Sequence, residues 1–143
     1  MKKKKILAVD DVRETLLALK IRLEYAGYDV YTATDGEAGL KMSRNLKPDL
    51  ILLDVMLPKI DGFSICRLLK FDEEYESIPI IMLTAKSQTS DKEIGKKVGA
   101  NAYFIKPYNA KELLEKIAEL INNKLAAVNF GNPIDFLDRE QIS

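Results

Sequence analysis

The sequence predicts an α/β fold, a doubly wound five-stranded parallel sheet flanked by five helices. Three observations carry that reading. Short β-branched and apolar runs alternate five times with longer stretches of helical periodicity, the pattern of a parallel sheet covered by helices. The run Leu50-Ile51-Leu52-Leu53 is apolar on both faces, as a strand buried beneath helices on each side must be. With 143 residues, the chain has the length of one domain and a small appendage.

The first unit pairs the buried strand Ile6-Leu7-Ala8-Val9 with a helix over Val12 to Ala26, whose apolar positions are Leu16, Leu19 and Leu23 and which closes at Gly27. In the second, Tyr28 to Ala33 alternates as a strand, and Gly36 to Leu46 is a helix carrying Ala38, Leu40 and Met42, stopped by Pro48. The third strand, Leu50 to Leu53, ends abruptly in Asp54; a loop with Pro58 and Gly62 leads to a helix over Phe63 to Phe71. Pro79 opens the fourth strand, Ile80 to Leu83, with Thr84 at its carboxyl end. The polar stretch Ala85 to Ser90 reads as a mobile loop before a helix over Asp91 to Val98 that ends at Gly99. Tyr103-Phe104-Ile105 is the last strand, and Ala110 to Leu125 is an amphipathic helix with Leu113, Leu114, Ile117, Leu120 and Ile121 on its apolar face.

Composition excludes several functions. Twenty-two basic and 22 acidic residues cancel, so no net positive field exists to hold nucleic acid, and a nucleic-acid partner is not expected. The absence of histidine removes Ser-His triads and His-ligated zinc, leaving carboxylates, hydroxyls and lysines for any chemistry. A single cysteine, Cys66, cannot form an internal disulfide and reads as a buried structural thiol; the N-terminal Met1-Lys2-Lys3-Lys4-Lys5 lacks an apolar signal core, so a cytoplasmic location is expected. Apolar runs fall far short of the roughly 20 residues of a membrane span, and no membrane partner is expected.

Ligands of open α/β sheets bind beyond the carboxyl ends of the strands, where strand order reverses. At those ends stand Asp10 and Asp11, Asp54, Thr84 and Lys106. Each has an ordinary alternative. Asp11-Val12-Arg13-Glu14 has the spacing of a capping box, and Asp54 before a Pro- and Gly-containing loop suits a turn. Thr84 is β-branched, and Lys106 before Pro107 would pass as a solvated strand-end charge. As a set at one end of one sheet, they point instead to a shared site.

Four segments carry a family resemblance: Ile6-Leu7-Ala8-Val9-Asp10-Asp11; Lys47-Pro48-Asp49-Leu50 through Asp54-Val55-Met56-Leu57-Pro58 with Asp61-Gly62; Ile80 to Ala85; and Gly99-Ala100-Asn101-Ala102-Tyr103-Phe104-Ile105-Lys106-Pro107-Tyr108. In their order and separations, the chain resembles the receiver domain of two-component response regulators from Lys4 to about Leu125, with no departure at an essential position. The resemblance implies a flavodoxin-like sheet of order 2-1-3-4-5. It implies that Asp54 takes a phosphoryl group from a phosphohistidine on a sensor histidine kinase or histidine phosphotransfer protein, with Mg²⁺ or Mn²⁺ as cofactor. It further implies that Asp11, Asp54 and the Met56 backbone carbonyl ligate the metal and that Asp10 assists through water. Lys106 and Thr84 would contact phosphoryl oxygens, Tyr103 would turn inward as Thr84 shifts, and Met56 and Lys86 would flank the site. Tyr103 is equally readable as a core aromatic. The same resemblance allows a homodimer through the fourth helix, fifth strand and fifth helix, acting on an output protein.

A phosphorylation-independent interaction module would keep the fold without needing the full acidic set. A flavodoxin-like cofactor binder would need a glycine-rich phosphate loop where Asp10 and Asp11 stand. A DNA-binding regulator would need a further basic domain after the fifth helix. The reading therefore assigns residues 1–126 to the receiver and 127–143 to a tail or linker, in which Phe130, Ile134, Phe136 and Leu137 suit disorder, docking or the start of a longer parent chain.

Overall fold

The computed structural model describes residues 2–85 and 89–123. Five parallel strands, β1 (Lys5–Val9), β2 (Asp29–Ala33), β3 (Leu50–Asp54), β4 (Ile80–Thr84) and β5 (Ala102–Ile105), form one sheet of order β2-β1-β3-β4-β5. The connecting helices are α1 (Arg13–Tyr25), α2 (Gly36–Leu46), α3 (Gly62–Lys70), α4 (Thr89–Lys97) and α5 (Ala110–Asn122). The expected doubly wound sheet and its order are therefore observed.

Strand alternation divides the core in two. Ile6, Ala8, Leu50, Leu52, Ile81 and Leu83 face α1 and α5, packing with Leu16, Leu19, Leu23, Leu113 and Ile117. Leu7, Val9, Ile51, Leu53, Ile80 and Met82 face the opposite side, where Leu40, Ile65, Leu69 and Val98 cover them. Every β3 residue is buried, which explains its uninterrupted apolar run; each such aliphatic side chain stabilises the fold by about 1.5–3 kcal/mol relative to exposure. Cys66 is buried in the second cluster, as its structural reading requires.

Several boundaries move for local reasons. The Asp11 capping box does not form: Val12 holds the N-cap position of α1 without a side-chain bond, because Asp10 already takes the Val12 amide at 2.9 Å. Helix α3 starts one residue early, at Gly62, because the Asp61 side chain caps it by accepting from the Ser64 amide at 3.0 Å. Helix α4 likewise starts at Thr89 rather than Asp91, and β5 at Ala102. Lys86, residues 86–88 of the polar loop, the α5 extension to Leu125 and the tail 127–143 lie outside the described residues. Among the described residues, no helix is long and apolar enough to cross a membrane.

Candidate metal-binding acidic site

Strand β2 departs to one side of β1 and β3 to the other, so the crest between the carboxyl ends of β1 and β3 is the switch point of the sheet. The backbone delivers the acids there. The Asp10 amide donates to Ala33 O at 3.1 Å, holding Asp10 in line with the sheet one residue beyond β1. Asp54 is the last residue of β3, and its Oδ1 accepts from the Met56 amide at 3.3 Å. Both are buried, whereas the adjacent Asp11 is exposed. Carboxylate oxygens of Asp10, Asp11 and Asp54 lie within 4.8 Å of one another.

Lys106, the residue after β5, reaches into this cluster. Its Nζ donates to Asp10 Oδ2 at 2.8 Å and to Asp54 Oδ2 at 3.5 Å, while its amide donates to Thr84 O at 2.6 Å. Thr84 ends β4 and is fully buried. Burial pushes the Asp54 carboxyl above the usual range; the Lys106 charge and Met56 amide pull it back, and the Asp10 charge adds to the rise. Burial alone would lower the Lys106 ammonium, but its bond to Asp10 and the charges of Asp54 and Asp10 outweigh this and hold it above its ordinary value.

The structure thus gathers Asp10, Asp11, Asp54 and Lys106, with Thr84 joined to Lys106 through the backbone. Met56 sits beside them with its side chain 60% exposed. Tyr103 is buried in the core among the residues under α2, α3 and α4. Three carboxylates supply hard oxygen donors, and Asp11 is committed to no cap, so the donor set fits a divalent cation such as Mg²⁺.

Gly62 was readable only as a loop glycine, yet its role is spatial. A Cβ there would run into the carbonyl oxygen of Asp54, and the Gly62 amide donates to Val55 O at 2.9 Å. Only glycine lets α3 start against the backbone of the Asp54 segment. The available signal was the Asp61-Gly62 pair, a cap residue followed by a small one.

A flavodoxin-like sheet with three acids and a lysine on its crest defines the class: a doubly wound α/β domain with a charged cluster at its switch point. The model of the response regulator receiver domain matches residues 6–118, and the chain belongs to that family. It is 45% identical over 118 residues to the alkaline phosphatase synthesis transcriptional regulatory protein PhoP of Bacillus subtilis, covering 82% of this chain and 48% of that protein. A CheY-like receiver domain protein from Methanospirillum hungatei matches with a TM-score of 0.82 and 31% identity over 87% of this chain and 98% of its own. The receiver domain of the sensor histidine kinase PA1611 from Pseudomonas aeruginosa, solved with a magnesium ion in its active-site cleft, matches with a TM-score of 0.78 and 30% identity over 85% of this chain and 99% of its own. The chain spans about half the length of the curated relatives it matches. Several are named as transcriptional regulators, so they lend no support to the expectation of no nucleic-acid partner.

Proposed function

We propose that Asp54 is the phosphoacceptor of this two-component receiver domain and that the aspartyl phosphate biases the domain between two conformations. The observation that carries this reading is the convergence of Asp10, Asp11 and Asp54 within 4.8 Å, with the Lys106 ammonium between two of them. An Asp54 oxygen attacks the phosphorus of a phosphohistidine on a sensor kinase or phosphotransfer protein. The O–P bond forms as the P–N bond breaks, and the departing imidazole takes a proton from solvent. In this reading Asp11, Asp54 and the Met56 carbonyl hold Mg²⁺ or Mn²⁺, with Asp10 assisting through water. The bound ion supplies neutralisation of the charge that would otherwise repel the phosphoryl group. Lys106 stabilises one phosphoryl oxygen as a point charge and the Thr84 hydroxyl donates to another. Tyr103 follows the movement of Thr84 and passes the change to the α4–β5–α5 face, where an output protein or a second copy binds.

The exposed side chains of Val12 and Met56 give a donor protein an apolar rim on which to seat beside the acids. Incubating the chain with Mg²⁺ and acetyl phosphate is expected to add one phosphoryl mass, lost in Asp54→Ala. An unmodified wild-type chain, with its kinase and Mg²⁺ also supplied, refutes the assignment. The relatives' names favour a second reading of the output, control of transcription through a DNA-binding segment outside the span matched.

A further inference from the structure

The connection between β3 and α3, residues 55–61, carries the Met56 carbonyl, and it is fastened on both sides of Met56 by backbone contacts. On the near side, the Val55 amide donates to Leu83 O at 3.0 Å and Val55 O accepts from Gly62 at 2.9 Å. On the far side, Pro58 O accepts from the Gly36 amide at 3.0 Å, and the Ile60 amide turns back to the same oxygen at 2.9 Å. Between them Lys59 adopts a left-handed φ of 72°.

Gly36 is the first residue of α2, and its amide is one of those that a helix N-terminus leaves without an intrahelical partner. Here the loop supplies that partner. A Cβ at Gly36 would run into the carbonyl oxygen of Ile60, with the Ile60 carbonyl carbon 2.6 Å and its Cβ 2.9 Å away. No other residue allows the helix end and the loop backbone to approach this closely. Asp35 reinforces the junction: its Oδ1 caps α2 at the Ala38 amide at 2.8 Å, and its Oδ2 lies 3.7 Å from Lys59 Nζ.

We propose that Gly36, assisted by Asp35, is a positioning residue for the metal site: the start of α2 clasps residues 58–60 and thereby fixes the Met56 carbonyl between two anchored points. The inference rests on the metal reading above and adds to it a determinant on a helix that contributes no ligand. A side chain at Gly36 must push Pro58 to Ile60 outward, and the carbonyl of Met56 is drawn off its place with them.

The test is a calorimetric Mg²⁺ titration of the whole chain as wild type, Gly36→Ala and Gly39→Ala, with thermal unfolding in chelator alongside. Gly39 is the matched control on the same helix: a Cβ there would meet Val9 Cγ1 at 2.9 Å and Cγ2 at 3.1 Å, which are side-chain tips of the core and not loop backbone. Gly36→Ala is expected to weaken Mg²⁺ binding about 10-fold, the usual scale for losing an outer support of a metal site. Gly39→Ala is expected to lower the melting temperature while leaving Mg²⁺ affinity near that of wild type. Should Gly36→Ala fail to fold, Asp35→Ala carries the test with a smaller loss in the same direction, and an unchanged affinity overturns the inference. Wild-type affinity in Gly36→Ala overturns it too, as does an equal loss of affinity in Gly39→Ala. A wild-type chain that takes up no Mg²⁺ removes the metal reading itself, a result distinguishable from the other three.

Discussion

Replacing Lys106 with methionine isolates the electrostatics of the site. Its Nζ is 2.8 Å from Asp10 and 3.5 Å from Asp54, and those two side chains are only 3% and 9% exposed. Without the ammonium, two buried carboxylates whose oxygens lie within 4.8 Å face each other uncompensated. Like charges at that separation repel by on the order of 3 kcal/mol at an effective dielectric of about 20. Breaking a buried ion pair by removing one partner costs about 3–5 kcal/mol, and the side chain of Lys106 is 21% exposed, which places the expected loss near about 2–3 kcal/mol. For a domain of this size that lowers the melting temperature by about 8–12 °C. Urea unfolding at pH 7 with chelator measures it, and two further arms identify the cause. Asp10→Asn in the Lys106→Met background is expected to restore most of the loss by removing the repulsion. Acidification is expected to close the gap as well. Lys106 lowers the Asp54 pKa relative to the variant, so its contribution is present above the carboxylate range and lost as pH falls through it. A Lys106→Met chain as stable as wild type, or one whose deficit survives both arms, refutes the reasoning.

Two further predictions follow from the burial of neighbouring groups. Asp11 is exposed and caps nothing, so Asp11→Ala is expected to change stability by less than about 0.5 kcal/mol while weakening Mg²⁺ binding more than Asp10→Ala does. Asp10→Ala, which strands the Val12 amide and removes the shorter Lys106 contact, is expected to cost about 2 kcal/mol; paired unfolding and Mg²⁺ titrations showing the reverse order would sink both assignments. Burial pushes the Cys66 thiol up to about 12, and its Sγ donates to Val98 O at 3.6 Å. At pH 8 the thiolate is then on the order of 1 in 10⁴, so Ellman's reagent is expected to react only after denaturation; rapid release of one equivalent from the native chain contradicts the burial.

What could be read in the sequence was whatever one element decides for itself. The β3 run is apolar on both faces because both faces are covered, and the polar residues at the carboxyl ends of β1, β3, β4 and β5 mark the crest. The start of α1 could not be read this way. Asp10 and Asp11 are both good cap residues, and the choice is made by a partner in another strand: Ala33 O holds the Asp10 amide, the chain leaves the sheet one residue later, and Val12 takes the cap position. The clasp at Gly36 was hidden for a similar reason. In the sequence Gly36 is only the first residue of a helix, and the arrival of Ile60 from the third unit gives the missing Cβ a purpose.

The same one-residue offset separates two chemically identical neighbours into different tasks. Asp10 remains in line with the sheet, is buried, and divides its oxygens between the Val12 amide and Lys106; Asp11 lies beyond the turn and meets solvent. The cluster therefore has a closed side, where Lys106 already balances Asp10 and Asp54, and an open side formed by Asp11 with the exposed Val12 and Met56. Among the described residues, the open side is the one that leaves a carboxylate facing solvent, and on the proposed reading a metal ion or a phosphoryl donor would approach there. On the proposed reading, Lys106 would meet a phosphoryl group from the closed side, where its ammonium already lies against Asp10 and Asp54.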